Sequence, residues 1–300
     1  MDRLKGILMI VSGALCWGAT GPMMEWLLHT TSITVSFMLA VRLIIAGTLL
    51  LLFLQLRGKK VMAIWKLSAW RNQLIIFSIV GMLGVQFTFV KSIEESNAIV
   101  ATLLQFLAPI FIVVYISIIH KKWPPKAQII GIAGTLFGLF LLLTNGSLQS
   151  LMVSRTALLW GVALGFTYAF YTLYPARLMK EWGVLVVVAW GLLLSGIELG
   201  VIGRIWSSDE WMLLTDSTVI WMMAALVILG SAAFVLFLSS LHYISAVETS
   251  VLSSVEPLAA TIISVIWLDA AMYGWQYAGM LLMLIFVVYL SIAGKEKEVV

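Results

Sequence analysis

Long apolar runs alternate with short polar connections along the whole chain, and strand-like alternation is absent. Ten runs of membrane length predict helical spans at residues 6–28, 33–55, 73–92, 97–119, 127–144, 156–178, 184–204, 218–240, 246–268 and 272–293. The ninth, AVETSVLSSVEPLAATIISVIWL, carries Glu256 and Pro257 at its middle. A carboxylate at that depth costs a few kcal/mol and belongs in a bundle interior or a wet cavity. Proline removes one helical hydrogen bond, so the carbonyl of Ser253 is expected to lose its usual partner. Such a carbonyl is tolerated in a membrane only beside protein or water, which predicts that the break faces a cavity.

The same stretch occurs twice. Subtracting 148 pairs Ser240 with Ser92, Ala246 with Ala98, Leu252 with Leu104, Pro257 with Pro109, Gln276 with Gln128 and Gly279 with Gly131. An ungapped offset across residues 92–131 and 240–279 marks two homologous halves, 1–149 and 150–300. Five spans per half is an odd number, so the second half is upside down relative to the first. The expected fold is therefore all-α and integral to the membrane: ten transmembrane helices as two inverted five-helix repeats. That architecture is the usual one for secondary transporters, whose sites lie near the midplane at broken helices.

Composition narrows the function further. Hydrophobic residues make up 62% and charged residues 11% of the 300, with a mean hydropathy of +1.07, so the connections leave no room for a soluble catalytic domain. The net charge of +4 does not point to nucleic acid, because the basic residues sort by loop. With the N-terminus inside, fourteen fall on the inner side, from Arg3 and Lys5 to Lys295 and Lys297; only Lys91, Arg155 and Arg204 fall outside. Both termini are expected in the cytoplasm. Tryptophans such as Trp26, Trp123, Trp221 and Trp267 stand near predicted span ends, where an indole meets both hydrocarbon and water. Cys16 is the only cysteine, which excludes an internal disulfide and a two-cysteine metal site. The apolar run after MDRLK lacks an A-x-A cleavage pattern and is taken as an uncleaved first span.

Several residues are candidates for substrate contact. Glu256, with Ser253 one turn before it, is the sharpest, as a binder of substrate or of an exchangeable proton; a structural carboxylate is the alternative. Glu248, Leu252 and Glu256 recur at intervals of four, so one face of span nine is polar toward the cytoplasm. Gln105 takes the place of Ser253 in the first half. Arg42, near the middle of span two, needs an acceptor there: a substrate carboxylate, Glu198, broken-helix carbonyls or lipid phosphate. Tyr171, with Thr167 and Tyr174 on its stripe and Tyr168 beside it, and Trp17, with Ser12 and Cys16, offer an aromatic wall. Ordinary packing is the competing account of that stripe. Gln86 and Thr88 in span three are weaker candidates, and Pro109 and Pro257 are the helix breaks. Gly134-x-x-x-Gly138, Gly161-x-x-x-Gly165 and Gly196-x-x-x-Gly200 allow close helix contact within the bundle or in a homodimer.

Ser240-Leu241-His242-Tyr243-Ile244-Ser245-Ala246, leading into Val255-Glu256-Pro257-Leu258 and then Gln276-Tyr277-Ala278-Gly279, resembles the drug/metabolite transporter superfamily, in particular its ten-span EamA-type exporters. The first-half copy from Ser92 to Gly131 is similar, and Arg42 resembles an arginine of that family's second span. The family often closes the span after its proline with a glutamate; here Asp269 stands in one half and His120-Lys121 in the other. The resemblance implies a bacterial inner-membrane exporter of amino acids or amphipathic compounds working by alternating access, with protons as a candidate coupling ion. It implies no cofactor. An integral-membrane lipid-modifying enzyme is the alternative, but His29, His120 and His242 are scattered and form no metal or acid–base cluster. No G-x-x-x-x-G-K-[ST] loop is present for direct use of ATP.

Overall fold

The computed structural model describes residues 2–147, 152–240, 242–244, 249 and 252–293. Helix α1 runs Asp2–Thr30 and α2 Val35–Leu56. The third span combines α3 (Ser68–Ile76), a π-helical stretch (Phe77–Leu83) and α4 (Gly84–Glu95). The fourth is α5 (Ala98–Gln105) followed by α6 (Ala108–His120), and the fifth is α7 (Lys126–Thr144). In the second half come α8 (Arg155–Leu173), the short α9 (Ala176–Trp182), α10 (Val184–Ile202), α11 (Ser217–Ser240), α12 (Val255–Trp267) and α13 (Gly274–Ala293). Span nine's predicted start at residue 246, the half boundary at 149/150, and Glu248, Lys295 and Lys297 lie outside the described residues.

Short polar side chains set several helix starts. Thr34, Asn97 and Ser154 each accept a hydrogen bond from the backbone N–H three residues on, at α2, α5 and α8. The prolines correct two expectations. Pro109 and Pro257 stand in the first turns of α6 and α12, where an absent N–H has no intrahelical partner to lose. In span four the break precedes the proline, at Phe106 and Leu107. The Ser253 carbonyl is not orphaned either, because the Glu256 N–H donates to it at 2.9 Å in a tight three-residue turn. Span six is also shorter than the predicted 156–178: α8 stops two residues before Pro175, which has no N–H to continue the ladder and leaves helical geometry at ψ 3°, and α9 is a separate helix.

The packing repeats with inverted symmetry. Helix α2 packs on α10 and α7 on α13, so the second and fifth spans each pair with their own counterparts. Helix α1 packs on α11 and α12; correspondingly, α8 packs on the third and fourth spans. Exchanging the first five spans with the last five leaves this set unchanged. The protein is an all-α membrane fold of ten spans in two inverted five-span repeats. Isoleucine and leucine side chains such as Ile118, Leu159 and Ile266, each at least 70% exposed, form an outward surface suited to hydrocarbon.

The glycine pairs are used within the chain. A Cβ on Gly138 would lie 2.8 Å from the Gly279 carbonyl oxygen, and one on Gly279 would lie 2.6 Å from that of Gly138, so α7 and α13 cross backbone to backbone. Gly161 and Gly165 pack on Leu104 and Leu107, and Gly196 on Ile44. Buried side chains form two clusters. The larger is drawn chiefly from α1, α2, the third span, α10 and α11; the smaller comes from the fourth span, α7 and α13.

Candidate functional site

A cavity of about 700 Å³ lies among the helices, lined by side chains of both halves and both clusters. The two broken spans meet here. Gln105, in the last turn of α5, donates from Nε2 to Glu256 Oε1 at 3.5 Å, joining the residues before Pro109 to those before Pro257. Helix α1 reaches this junction because Gly18 has no side chain; a Cβ there would touch the Glu256 carbonyl oxygen and Ala259. Trp17 therefore stands at the break, its ring edge-on to Phe234 with centroids 5.0 Å apart and tilted against Phe237 at 5.4 Å. Tyr168 lies within electrostatic reach of the Glu256 carboxylate, its ring tilted against that of Tyr171 with centroids 5.8 Å apart.

Glu256, Ser253, Gln105, Arg42, Tyr171, Trp17 and Gln86 all line this one cavity, as does Pro109. Pro257 is buried beside it and is not part of the lining. Other candidates are placed elsewhere. Thr88 and Thr167 bond each other at 3.1 Å and hold span three to α8. Tyr174 stacks on Phe170 away from the lining, and Cys16 does not reach it. Glu198 is not the partner of Arg42: it accepts from Ser78 Oγ at 2.8 Å beside the π-helical stretch. Arg42 instead donates from Nη1 to Met24 Sδ at 3.3 Å, and no carboxylate among the described residues pairs with it.

Sequence reasoning missed Met24, Phe89, Phe234, Phe237 and Gln128, which also line the cavity. Four of these are apolar, and an apolar residue on a membrane helix reads the same whether it faces lipid, a neighbour or a cavity. Gln128 carried a signal, as a polar residue early in span five, but it served only to mark the repeat.

Toward one end the lining is buried. Beyond Met24, Thr20 and Arg42, all buried, the Trp26 and Trp267 rings stack at 6.2 Å and Glu25 Oε2 accepts from the Ala98 N–H at 2.7 Å. Toward the other end the lining reaches Gln128, Val184 and Leu290 near helix termini, together with exposed Ile116 and Thr172. The polar break thus lies between a buried end of the lining and an end formed by helix-terminal and exposed residues.

The EamA-like transporter family matches residues 4–144 and again residues 155–292. The chain belongs to that family. It is 33% identical over 294 residues to an uncharacterized inner membrane transporter, YicL, of Salmonella typhimurium, covering 98% of this chain and 97% of the relative. Over 297 residues it is 25% identical to an uncharacterized transporter, YwfM, of Bacillus subtilis, covering 97% and 95%. A solved structure, described only as a crystal structure of a protein, shares the fold at a TM-score of 0.60 and 17% identity, with 98% and 95% of the two chains aligned. The EamA-like chain is thus a multi-pass membrane transporter of the drug/metabolite type.

Proposed function

We propose that the protein exports a small metabolite, an amino acid or an amphipathic compound, by alternating access through the central cavity. The two repeats are assigned as 1–149 and 150–300. One observation carries the reading: Glu256 and Gln105, each within about one turn of a proline-marked break, meet in a central cavity lined by both halves of the chain. Polar groups in such a cavity avoid hydrocarbon and are available to a solute. The excess of basic residues in the loops joining even-numbered spans to odd-numbered ones supports both termini lying in the cytoplasm, and the membrane proposed is a bacterial inner membrane. In that orientation the end at Gln128 and Val184 opens inward, and the Trp26–Trp267 end is the outer closure. Protons are the proposed coupling ion, exchanged at Glu256.

The test is countertransport in sealed proteoliposomes, with labelled amino acids, nucleosides and amphipathic compounds as probes. Uptake of at least one unaltered probe should accelerate when the same unlabelled compound is preloaded on the opposite side. A chemically altered probe would instead indicate an enzyme, and a rate indifferent to preloading would indicate a pore.

A further inference from the structure

Arg42 lies about 10 Å into the bilayer from the start of α2, given a rise of about 1.5 Å per residue, and is only 6% exposed. It nonetheless lines the cavity, near its buried end. Its guanidinium is bounded by Met24 on α1 and by Gly230 on α11, where an added Cβ would stand 3.3 Å from Nη2. A guanidinium carries five N–H donors, and the thioether of Met24 is a weak acceptor for one of them. A buried cation left without an acceptor is destabilising by several kcal/mol, so the cavity content must supply one. The scaffold does not demand a cation here: Gly47 packs on Leu193 and Gly196 on Ile44, a reciprocal pair of contacts that sets the offset in these two spans at 149 and matches Arg42 with Gly191, which has no side chain.

We infer that the cavity takes a small organic monoanion, its carboxylate held by Arg42 and its apolar body against Trp17, Phe89 and Phe234. This deepens the transport reading above and rests on it. A carboxylate matches the planar fork of arginine in a bidentate pair. A single charge is favoured over a dianion because Arg42 and Glu256 are the charged side chains of the described lining, and Glu256 adds no positive charge. The apolar walls then bury what the carboxylate carries.

Calorimetric binding to the purified full chain in detergent tests this with matched aromatic probes: phenylacetate, benzenesulfonate, phenyl phosphate, neutral phenylacetamide and the phenethylammonium cation. Phenylacetate should bind at least about tenfold tighter than phenylacetamide or phenethylammonium, a difference of about 1.4 kcal/mol. Arg42→Gln should erase that preference and Arg42→Lys should keep part of it. Equal or tighter binding of the neutral or cationic probe, no binding of any anion, or a preference surviving in folded Arg42→Gln protein would overturn the inference. Phenyl phosphate binding tenfold tighter than phenylacetate would overturn the monoanion assignment. If Arg42→Gln does not fold, the probe comparison on the unsubstituted protein decides. Binding is measured without transport, so the two readings fail separately. Anion preference without countertransport would remove the carrier and leave the site, whereas transport without anion preference would remove the site alone.

Discussion

Glu256 and Gln105 occupy nearly corresponding places in the two repeats, yet one side chain is ionisable and the other is not, so the proposed proton exchange falls to the second half. Glutamine has almost the shape of glutamate and keeps a hydrogen bond to Gln105, but it cannot carry an exchangeable proton. In Glu256→Gln protein, uptake driven by an imposed pH gradient should vanish while exchange at uniform pH continues. Dye-monitored uptake across a pH step checks this, and an unchanged response would remove Glu256 from coupling. The residues that announced themselves in the sequence, Glu256, Gln105, Arg42 and Gln86, did so because polar groups are costly in hydrocarbon and therefore rare there. Met24 and Phe89 gave no such signal: the same side chain is equally at home against lipid.

At the scale of helices, length and hydropathy found eight spans that the described residues show at membrane length, and α12 and α13 lie within the last two predicted runs, because a membrane of fixed thickness imposes both. Local backbone chemistry was less legible. The π-helical stretch Phe77–Leu83 is an ordinary apolar sequence, and nothing in its composition separates it from α-helix. Its effect is visible only in the fold, where Ser78 meets Glu198 and its carbonyl accepts from Ser195 Oγ at 2.8 Å. The α7–α13 crossing gives a sharper test. Leucine at Gly138 would force the two backbones apart, and overpacking of this kind destabilises by about 1–3 kcal/mol. Gly138→Leu protein should therefore lose its monodisperse elution peak after heating at a lower temperature than the unsubstituted chain. An unchanged melting profile would mean that the crossing tolerates separation.

Across the whole molecule, the packed bodies do not coincide with the repeats. The larger cluster joins the first three spans to α10 and α11, and the smaller joins the fourth and fifth spans to α13, with Leu258 and Val265 of α12 packed against it. Each packed cluster therefore mixes both halves. Trp26, packed against the larger cluster, stacks on Trp267 at the end of α12. In a Cys16→Ser background, bridging Trp26→Cys to Trp267→Cys with a short bifunctional thiol reagent should stop transport, and reduction should restore it. Full activity in the bridged protein would show that the outer closure need not part. The inverted packing also bears on assembly. Helices α2 with α10, and α7 with α13, are contacts that two separate, oppositely inserted five-helix chains would have to find by collision in the bilayer. The peptide link between Thr144 and Arg155 makes that encounter intramolecular. Expression level therefore drops out of the folding equilibrium, and each molecule is supplied with one half of each orientation in equal number.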